Sequence, residues 1–449
     1  MKKLIFRMLL ITVSCAVLTG CQKDEKVKEK KQLTLTIKTP PISLGNIPGA
    51  GEAESFDLFT AASEKFKETY EKYDVDFKIS RYNYVDEKEQ LEDKYKTEEA
   101  ADIIYSGSYN IPTYAAKGWL VPLDDMIDDE LRGDIEDVVW EQNSVDGKVY
   151  TIPFQQLQNT LMVNRTMMEE AGLSEYIPEK DTIAKWSTEE FNTVLGRLKE
   201  SLAGSNKFAF MMYAGNSQGD NHIMTLLRAY GGTVYDEEGN FAVNTPEGVK
   251  ALEWIREMDR QGITPKGAEN MELLDCVNLF YGGQLAICAG NLTNLWDARN
   301  KGIDVFTANF PSMDGNGYCT DSTNGFCVFE NGDKDKIQAA KDFIRFIYAD
   351  KELMKYALGT LPVNHSVTEE YQEDIWMLKA YSDNIPNTVD NIGRNVGWQN
   401  VRDVFYLNIR DLLIGEAPPD QVAAAVDESC NRALKQGRED IWNQQKQKE

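Results

Sequence analysis

Histidine is almost missing from this chain: 449 residues contain two, His222 and His365. A Ser-His-Asp or Cys-His nucleophilic site would have to depend on one of them, and both read as surface or cleft-rim residues. Cysteine is sparse as well, seven in all, with no CxxC pair and no zinc-type spacing, so neither a metal nor another cofactor is expected. Cys15 and Cys21 lie near the start. Cys276, Cys288, Cys319, Cys327 and Cys430 read mostly as small core residues, although Cys319 and Cys327 could close a short loop. Positive charge is outweighed, 48 Lys and Arg standing against 73 Asp and Glu for a net charge of −25. Nucleic-acid binding needs a basic face that displaces counterions, and it is not expected here. The runs Tyr230-Gly231-Gly232 and Tyr281-Gly282-Gly283 lack the Lys-Ser/Thr of a phosphate-binding loop. No segment holds the roughly 20 apolar residues that a membrane-spanning helix needs.

What is present begins with Lys2, Lys3 and Arg7, followed by an apolar run over residues 8–18 with the shape of a secretion signal. It leads into Leu18-Thr19-Gly20-Cys21, which resembles the lipobox of bacterial lipoproteins, where cleavage before the cysteine leaves a diacylglyceryl group on its sulfur. The expectation is a signal peptide at residues 1–20, lipidation of Cys21, and an exported protein anchored to the cell membrane and facing outside the cytoplasm. Residues 21–32 then form a tether: this stretch is almost entirely polar and cannot bury enough apolar surface to fold.

About 415 residues remain, too many for one core, which predicts two lobes. Leu33-Thr34-Leu35-Thr36-Ile37 alternates with the period of a strand. Phe56, Phe59, Phe66 and Tyr70 share a helical face, and strand-like runs follow at residues 75–84 and at Asp102-Ile103-Ile104-Tyr105. The first part therefore reads as β-α-β-α-β. Ser187-Thr188-Glu189-Glu190 is a capping box, and Thr245-Pro246 opens another helix that Gly262 ends.

Several short runs, collinear over nearly the whole chain after the tether, resemble the extracellular solute-binding protein family 1 of ATP-binding-cassette importers. Ala101-Asp102-Ile103-Ile104 with Gly118-Trp119-Leu120-Val121-Pro122-Leu123 is similar to one family segment, and Asp146-Gly147-Lys148-Val149-Tyr150-Thr151-Ile152-Pro153-Phe154 to another. So are Glu170-Ala171-Gly172-Leu173, Phe280-Tyr281-Gly282-Gly283-Gln284-Leu285-Ala286, Asn324-Gly325-Phe326 and Gly359-Thr360-Leu361-Pro362-Val363. The chain departs from the pattern at Ala101, where the family has proline, and at Gln284, where it has lysine.

The resemblance implies an α/β, two-lobed periplasmic-binding-protein-like (type II) fold, with a hinge and a ligand cleft between the lobes. By it, residues 33–152 and 291–352 form lobe 1, and residues 153–290 and 353–449 form lobe 2. The crossings are expected at Ile152-Pro153-Phe154, near Cys288-Ala289-Gly290, and before Leu361. Its implied partners are a small-molecule ligand, most simply a sugar or oligosaccharide, and the permease subunits of the importer.

A sugar offers an apolar ring face to aromatic side chains and an edge of hydroxyls to polar ones. Trp398 looks like the family's late stacking tryptophan, with packing beneath a helix start as its alternative. Ser106, Ser108, Tyr109 and Asn110 follow the third strand at its carboxyl end, where open α/β sheets bind ligands. Gln155 and Asn159 follow the first expected crossing, and Asn291 and Trp296 the second. Tyr213, Asn216, Asp220 and Asn221 lie in a Gly-punctuated loop of lobe 2, and Tyr82 and Asn324 complete the candidate ligand-binding set. No catalytic residue is assigned. A lipid-anchored glycosidase would share the composition and would need two carboxylates flanking one bond; a ligand sensor feeding a receptor kinase would share the fold.

Overall fold

A computed structural model describes residues 30–47, 51–83, 86–107, 109–320, 322–392, 395–415 and 417–446. The expected signal, Cys21, most of the tether and Ser108 lie outside the described residues. The tether reading ends too late: Gln32 already opens a strand, paired with Asp74, because the ladder it joins begins one residue before the apolar alternation.

The strands that place the site are, in chain order, β1 (Gln32–Thr39), β2 (Asp74–Arg81), β3 (Ile103–Gly107), β4 (Ile152–Gln156), β5 (Thr160–Asn164), β6 (Ile183–Ala184), β7 (Phe208–Phe210), β8 (Leu285–Gly290), β9 (Val305–Ala308), β10 (Cys319–Thr320), β11 (Thr323–Val328), β12 (Leu361–Pro362) and β13 (Thr388–Val389). The helices are α1 (Ser55–Thr69), α2 (Ile111–Ala116), α3 (Thr188–Ser201), α4 (Asp220–Leu226), α5 (Pro246–Arg260), α6 (Leu273–Tyr281), α7 (Leu292–Asn300), α8 (Lys334–Ala349), α9 (His365–Tyr371), α10 (Leu378–Ser382), α11 (Trp398–Ile414) and α12 (Pro419–Lys446). The two largest sheets are β12-β4-β11-β3-β1-β2 and β6-β9-β5-β8-β7. Each contains strands running against the rest, β11 and the edge strand β12 in the first and β5 in the second.

Local chemistry explains most of these elements. Leu33, Leu35 and Ile37 of β1 are buried while Thr34 and Thr36 are less so, the alternation that a pleated strand produces. In α1 the inward face is Leu58, Phe59, Ala62 and Phe66. Phe56 turns aside and carries the Arg81 guanidinium 4.0 Å above its ring. Ser187 and Glu190 cap α3 reciprocally, with the Ser187 N–H donating to Glu190 Oε2 at 2.7 Å. Two large apolar clusters fill the molecule. One joins the first sheet to α6 and α7 on one face of the second, and the other packs α3, α5, α11 and α12 on the opposite face of the second sheet.

The division between sheets differs from the expected boundaries. β4 belongs wholly to the first sheet, so the chain first crosses at residues 157–159. Cys288-Ala289-Gly290 is no crossing: β8 lies between β5 and β7, and β9 follows it into the same sheet. Residues 291–308 therefore go with the second sheet, and the chain returns at residues 309–322. The third crossing falls after Leu361, not before it, because β12 still pairs with β4. An apolar run such as Leu285-Ala286-Ile287-Cys288-Ala289 carries no mark of which sheet will take it, so a family-based boundary has no local check there.

The three crossings lie side by side. Asn159 and Thr320 exchange backbone hydrogen bonds at 2.9 and 3.2 Å, and β10 pairs with β13. Asn384 stands among them, its amide nitrogen donating to Gln158 Oε1 at 3.0 Å and to Asn309 Oδ1 at 2.9 Å. Gln158, Asn309 and Asn384 are all buried, so satisfied polar groups hold the waist alongside the apolar cluster that joins the two sheets. The Cys319–Cys327 pairing is also corrected. The Cys319 thiol faces this waist network, whereas Cys327 sits inside β11 with its sulfur 3.2 Å from Thr151 Oγ1.

Candidate functional site

The carboxyl edge of the first sheet meets the second lobe around Tyr109, just beyond the end of β3. Its ring lies under the Arg402 guanidinium at 5.0 Å, and its hydroxyl accepts from Asn221 Nδ2 at 3.2 Å. Arg402 is on α11 and Asn221 on α4, both packed on the second sheet, while Tyr109 leads into α2 on the first. Ser322, from the return crossing, also bonds the Tyr109 hydroxyl. A second bridge joins the lobes nearby: the Gly397 N–H donates to Thr113 Oγ1 at 3.0 Å.

Beneath this contact Arg402 Nε donates to Asp220 Oδ2 at 2.6 Å, with the Asp220 side chain 1 % exposed. Burial pushes the Asp220 carboxyl up from its ordinary value, and the guanidinium beside it pulls the other way. Burial likewise raises the Tyr109 hydroxyl, opposed by the same guanidinium. Asn391 donates to the Asn221 carbonyl and to Thr225 Oγ1, both at 3.1 Å, and so fixes the start of α4. The result is an aromatic ring, an amide, a hydroxyl and a charge-assisted pair drawn from both lobes.

Next along the same edge, beyond the ends of β1 and β2, a cavity of about 420 Å³ is lined by Pro41, Glu54, Arg81, Tyr82, Asn83, Asp86 and Gln90. Arg81 Nε is paired with Glu54 Oε2 at 3.0 Å there. A larger cavity of about 810 Å³ lies elsewhere, among α8, α9 and the start of β4. All its lining belongs to the first lobe and none to the second, so it does not suit a ligand that bridges the two.

The expected residues divide accordingly. Tyr109, Asp220 and Asn221 converge, and Tyr82 lines the smaller cavity. Ser106 and Asn324 are buried near Tyr109; Asn324 Oδ1 packs against Gly107. Asn110 donates to Glu87 Oε1 at 2.8 Å, alongside the Tyr114 hydroxyl at 2.6 Å.

Of the remaining expectations, Trp398, Gln155 and Tyr213 are corrected by their burial, while Asn159, Asn291, Trp296 and Asn216 are engaged in structural contacts. Trp398 is fully buried, 6.4 Å from the Phe241 ring and nearly parallel to it, because the first residue of α11 points into the second core. Gln155 is fully buried and braces the first lobe, accepting from the Tyr105 hydroxyl at 2.9 Å and donating to the Tyr356 carbonyl at 3.1 Å. Asn159 is held in the waist by Thr320. Asn291 caps α7, and the Trp296 indole donates to the Trp376 carbonyl at 2.9 Å. Asn216 caps the turn before α4. Tyr213 is buried and stacks on His222 at 3.9 Å. His222 is thus a core residue and not a rim residue: burial pulls its imidazole down to about 3, which keeps it neutral. His365 is half-exposed beside Glu136.

Sequence reasoning missed Arg402, Ser322 and Asn391. Arg402 lies four residues after Trp398, so the helix that the tryptophan marked does supply a site residue, one turn further on. Ser322 and Asn391 lie in crossings whose positions were misread, and no local signal distinguishes them.

Among the described residues no helix is long and apolar enough to cross a membrane, and no group of three or more His, Cys, Asp or Glu side chains is placed to hold a metal ion. The profile of a family described as bacterial extracellular solute-binding protein matches residues 61–381. A binding protein of Brucella abortus is 23% identical over 345 residues, covering 75% of this chain and 80% of its own. The mannitol-binding protein of Pseudomonas aeruginosa is 27% identical over 187 residues, 41% of each chain. Among solved structures, the sugar-binding protein MalE of Xanthomonas citri superposes with a TM-score of 0.72 at 16% identity, covering 92% of this chain and 99% of that one. The cyclic α-maltosyl-1,6-maltose binding protein of Arthrobacter globiformis gives 0.71 at 22% identity, covering 90% and 99%. Those likenesses establish the two-lobed α/β fold, and the profile match, spanning both sheets, shows that this chain belongs to the bacterial extracellular solute-binding proteins.

Proposed function

We propose that this protein is the lipid-anchored capture component of an ATP-binding-cassette importer, that its ligand is a carbohydrate, and that it delivers the ligand unaltered to the permease. The observation that carries the reading is the meeting of Tyr109 with Asn221 and the Arg402–Asp220 pair, contributed from opposite lobes. A ring face, amides, a hydroxyl and a charge-assisted pair are the groups that cover a sugar ring and bond its hydroxyl edge. A ligand touching both lobes stabilises their closed arrangement by that differential contact. The relatives named for mannitol, maltosyl sugars and sugar binding agree with a polyhydroxylated ligand.

Calorimetric titration with mannitol, maltose and maltooligosaccharides, preceded by a thermal-shift screen, tests the ligand class; a ligand selective for the native state raises its apparent stability. Tyr109→Ala weakens binding of whichever sugar is found by about 1 kcal/mol or more, the usual worth of a stacking aromatic. Unchanged affinity would remove Tyr109 from the site. Cleaved products in the same mixtures would make the protein a hydrolase instead. For the anchor, Cys21→Ala moves the protein from the membrane fraction to the medium or periplasm, whereas continued sedimentation with membranes would rule out the lipid.

A further inference from the structure

Two of the five cysteines in the folded body lie against each other. Cys276, on the second turn of α6, and Cys288, inside β8, place their sulfurs 2.9 Å apart. That is closer than two sulfur atoms in ordinary van der Waals contact, and an approach of under about 1 Å more would reach the bond length of a disulfide. Both side chains are fully buried, in the cluster that also holds Val277, Phe280 and Leu285. The other three cysteines have different surroundings: Cys319 faces Asn384, Cys327 faces Thr151, and Cys430 lies in the second core.

We propose that Cys276 and Cys288 form a disulfide in the exported protein, tying α6 to β8. The compartment agrees, since an extracellular solute-binding protein folds where disulfides persist. The step balances as thiol–disulfide exchange. One cysteine thiolate attacks a small-molecule or protein disulfide and releases one of its thiols; the second cysteine then displaces the other. Two electrons pass to the oxidant, which leaves as two thiols, and the two cysteine protons are given up to it or to solvent. Burial, with the neighbouring thiol, holds Cys288 well above its ordinary range in the folded chain, so the exchange belongs to folding, before α6 closes over β8.

The bond would brace the loop that carries the site. Tyr213 lies beside both sulfurs; burial first and then the two thiols hold its hydroxyl well above the usual range. Gly215 donates its N–H to the Met271 carbonyl at 2.9 Å, just before α6, and the chain then runs through Asn216 to Asp220 and Asn221. Fixing α6 to β8 therefore fixes the support of that loop. The pair also closes a short covalent ring, with a sequence separation of 12, which restricts the unfolded chain.

The test uses the full chain, refolded from the reduced state in a mixture of oxidised and reduced glutathione, then denatured, alkylated and mapped. No Lys or Arg lies between Lys266 and Arg299, so trypsin leaves both cysteines in one peptide; chymotrypsin, cutting after Tyr281, separates them. The expected result is a Cys276 peptide and a Cys288 peptide joined until reduction, with Cys319, Cys327 and Cys430 alkylated. Recovery of the two peptides separately alkylated, or joined to other cysteines, would overturn the bond. Reduction of the wild type is expected to lower Tm on the order of 5 °C and to leave Cys276→Ser/Cys288→Ser unmoved. Joined peptides with an unchanged Tm would overturn the bracing role.

Discussion

Arg402→Ala is expected to lose about 3–5 kcal/mol of folding stability, because it leaves the Asp220 carboxylate buried without its counterion. A surface ion pair would cost far less, and the 1 % exposure of Asp220 is what separates the two cases. The loss should depend on pH with a definite sign. Without the guanidinium, burial is opposed only by backbone N–H donors such as that of Asn221, and it keeps the folded-state pKa of Asp220 above the unfolded value. A group shifted that way stabilises the fold where it is protonated, and that contribution disappears as the pH rises through the folded pKa. The deficit of the variant is therefore greatest near neutral pH and shrinks in acid. Adding Asp220→Asn should recover much of it, since the buried charge is then gone. Urea midpoints at several pH values measure all three statements. A loss below about 1 kcal/mol, flat with pH, would mean that the pair is well solvated and that the lobes are not held together over it.

Gly359→Ala is expected to cost about 3 kcal/mol or more, at the upper end of what overpacking does. A Cβ at this position would fall 0.9 Å from the Leu44 carbonyl oxygen and 2.8 Å from the Gly45 nitrogen, so backbone has to part from backbone. The contact holds the strand Ser43–Ile47 against the turn that leads into β12, and through β12 it supports β4 and the first crossing. Gly196→Ala is the control. It lies within α3 with nothing within 4 Å of the added carbon, and should be neutral or stabilising by up to about 1 kcal/mol, since alanine is the better helix former. Thermal or urea unfolding of both variants decides the matter; equal behaviour of the two would show that the strand and turn separate easily.

The Gly359 case also explains a resemblance. Gly359-Thr360-Leu361-Pro362-Val363 was recognisable as a pattern, but the reason for its glycine is a strand more than 300 residues earlier. The same distance limits the reading of the site. Tyr109, Asp220 and Asn221 could be picked out as candidates because each stands at a strand end or a helix start, where open α/β sheets gather polar residues, although Asp220 itself is buried. Trp398 misled for the opposite reason. A tryptophan after Gly397 looks the same whether it faces a ligand or the core, and its depth depends on Phe241, which lies more than 150 residues earlier in the chain.

The sequence by itself determined the kind of molecule: alternating strands and amphipathic helices, two lobes, and the order of motifs that marks the family. These follow from periodicity, caps and turn residues, which act over a few positions and need no knowledge of neighbours in space. Only the tertiary structure decided which sheet each apolar strand joins, where the chain crosses, and that Arg402 rather than Trp398 reaches Tyr109. A buried strand is apolar on both faces in either sheet, and a charge pair is stable only when its two halves are brought together and shielded. Both are properties of the assembled chain, set by contacts between segments that the sequence keeps far apart.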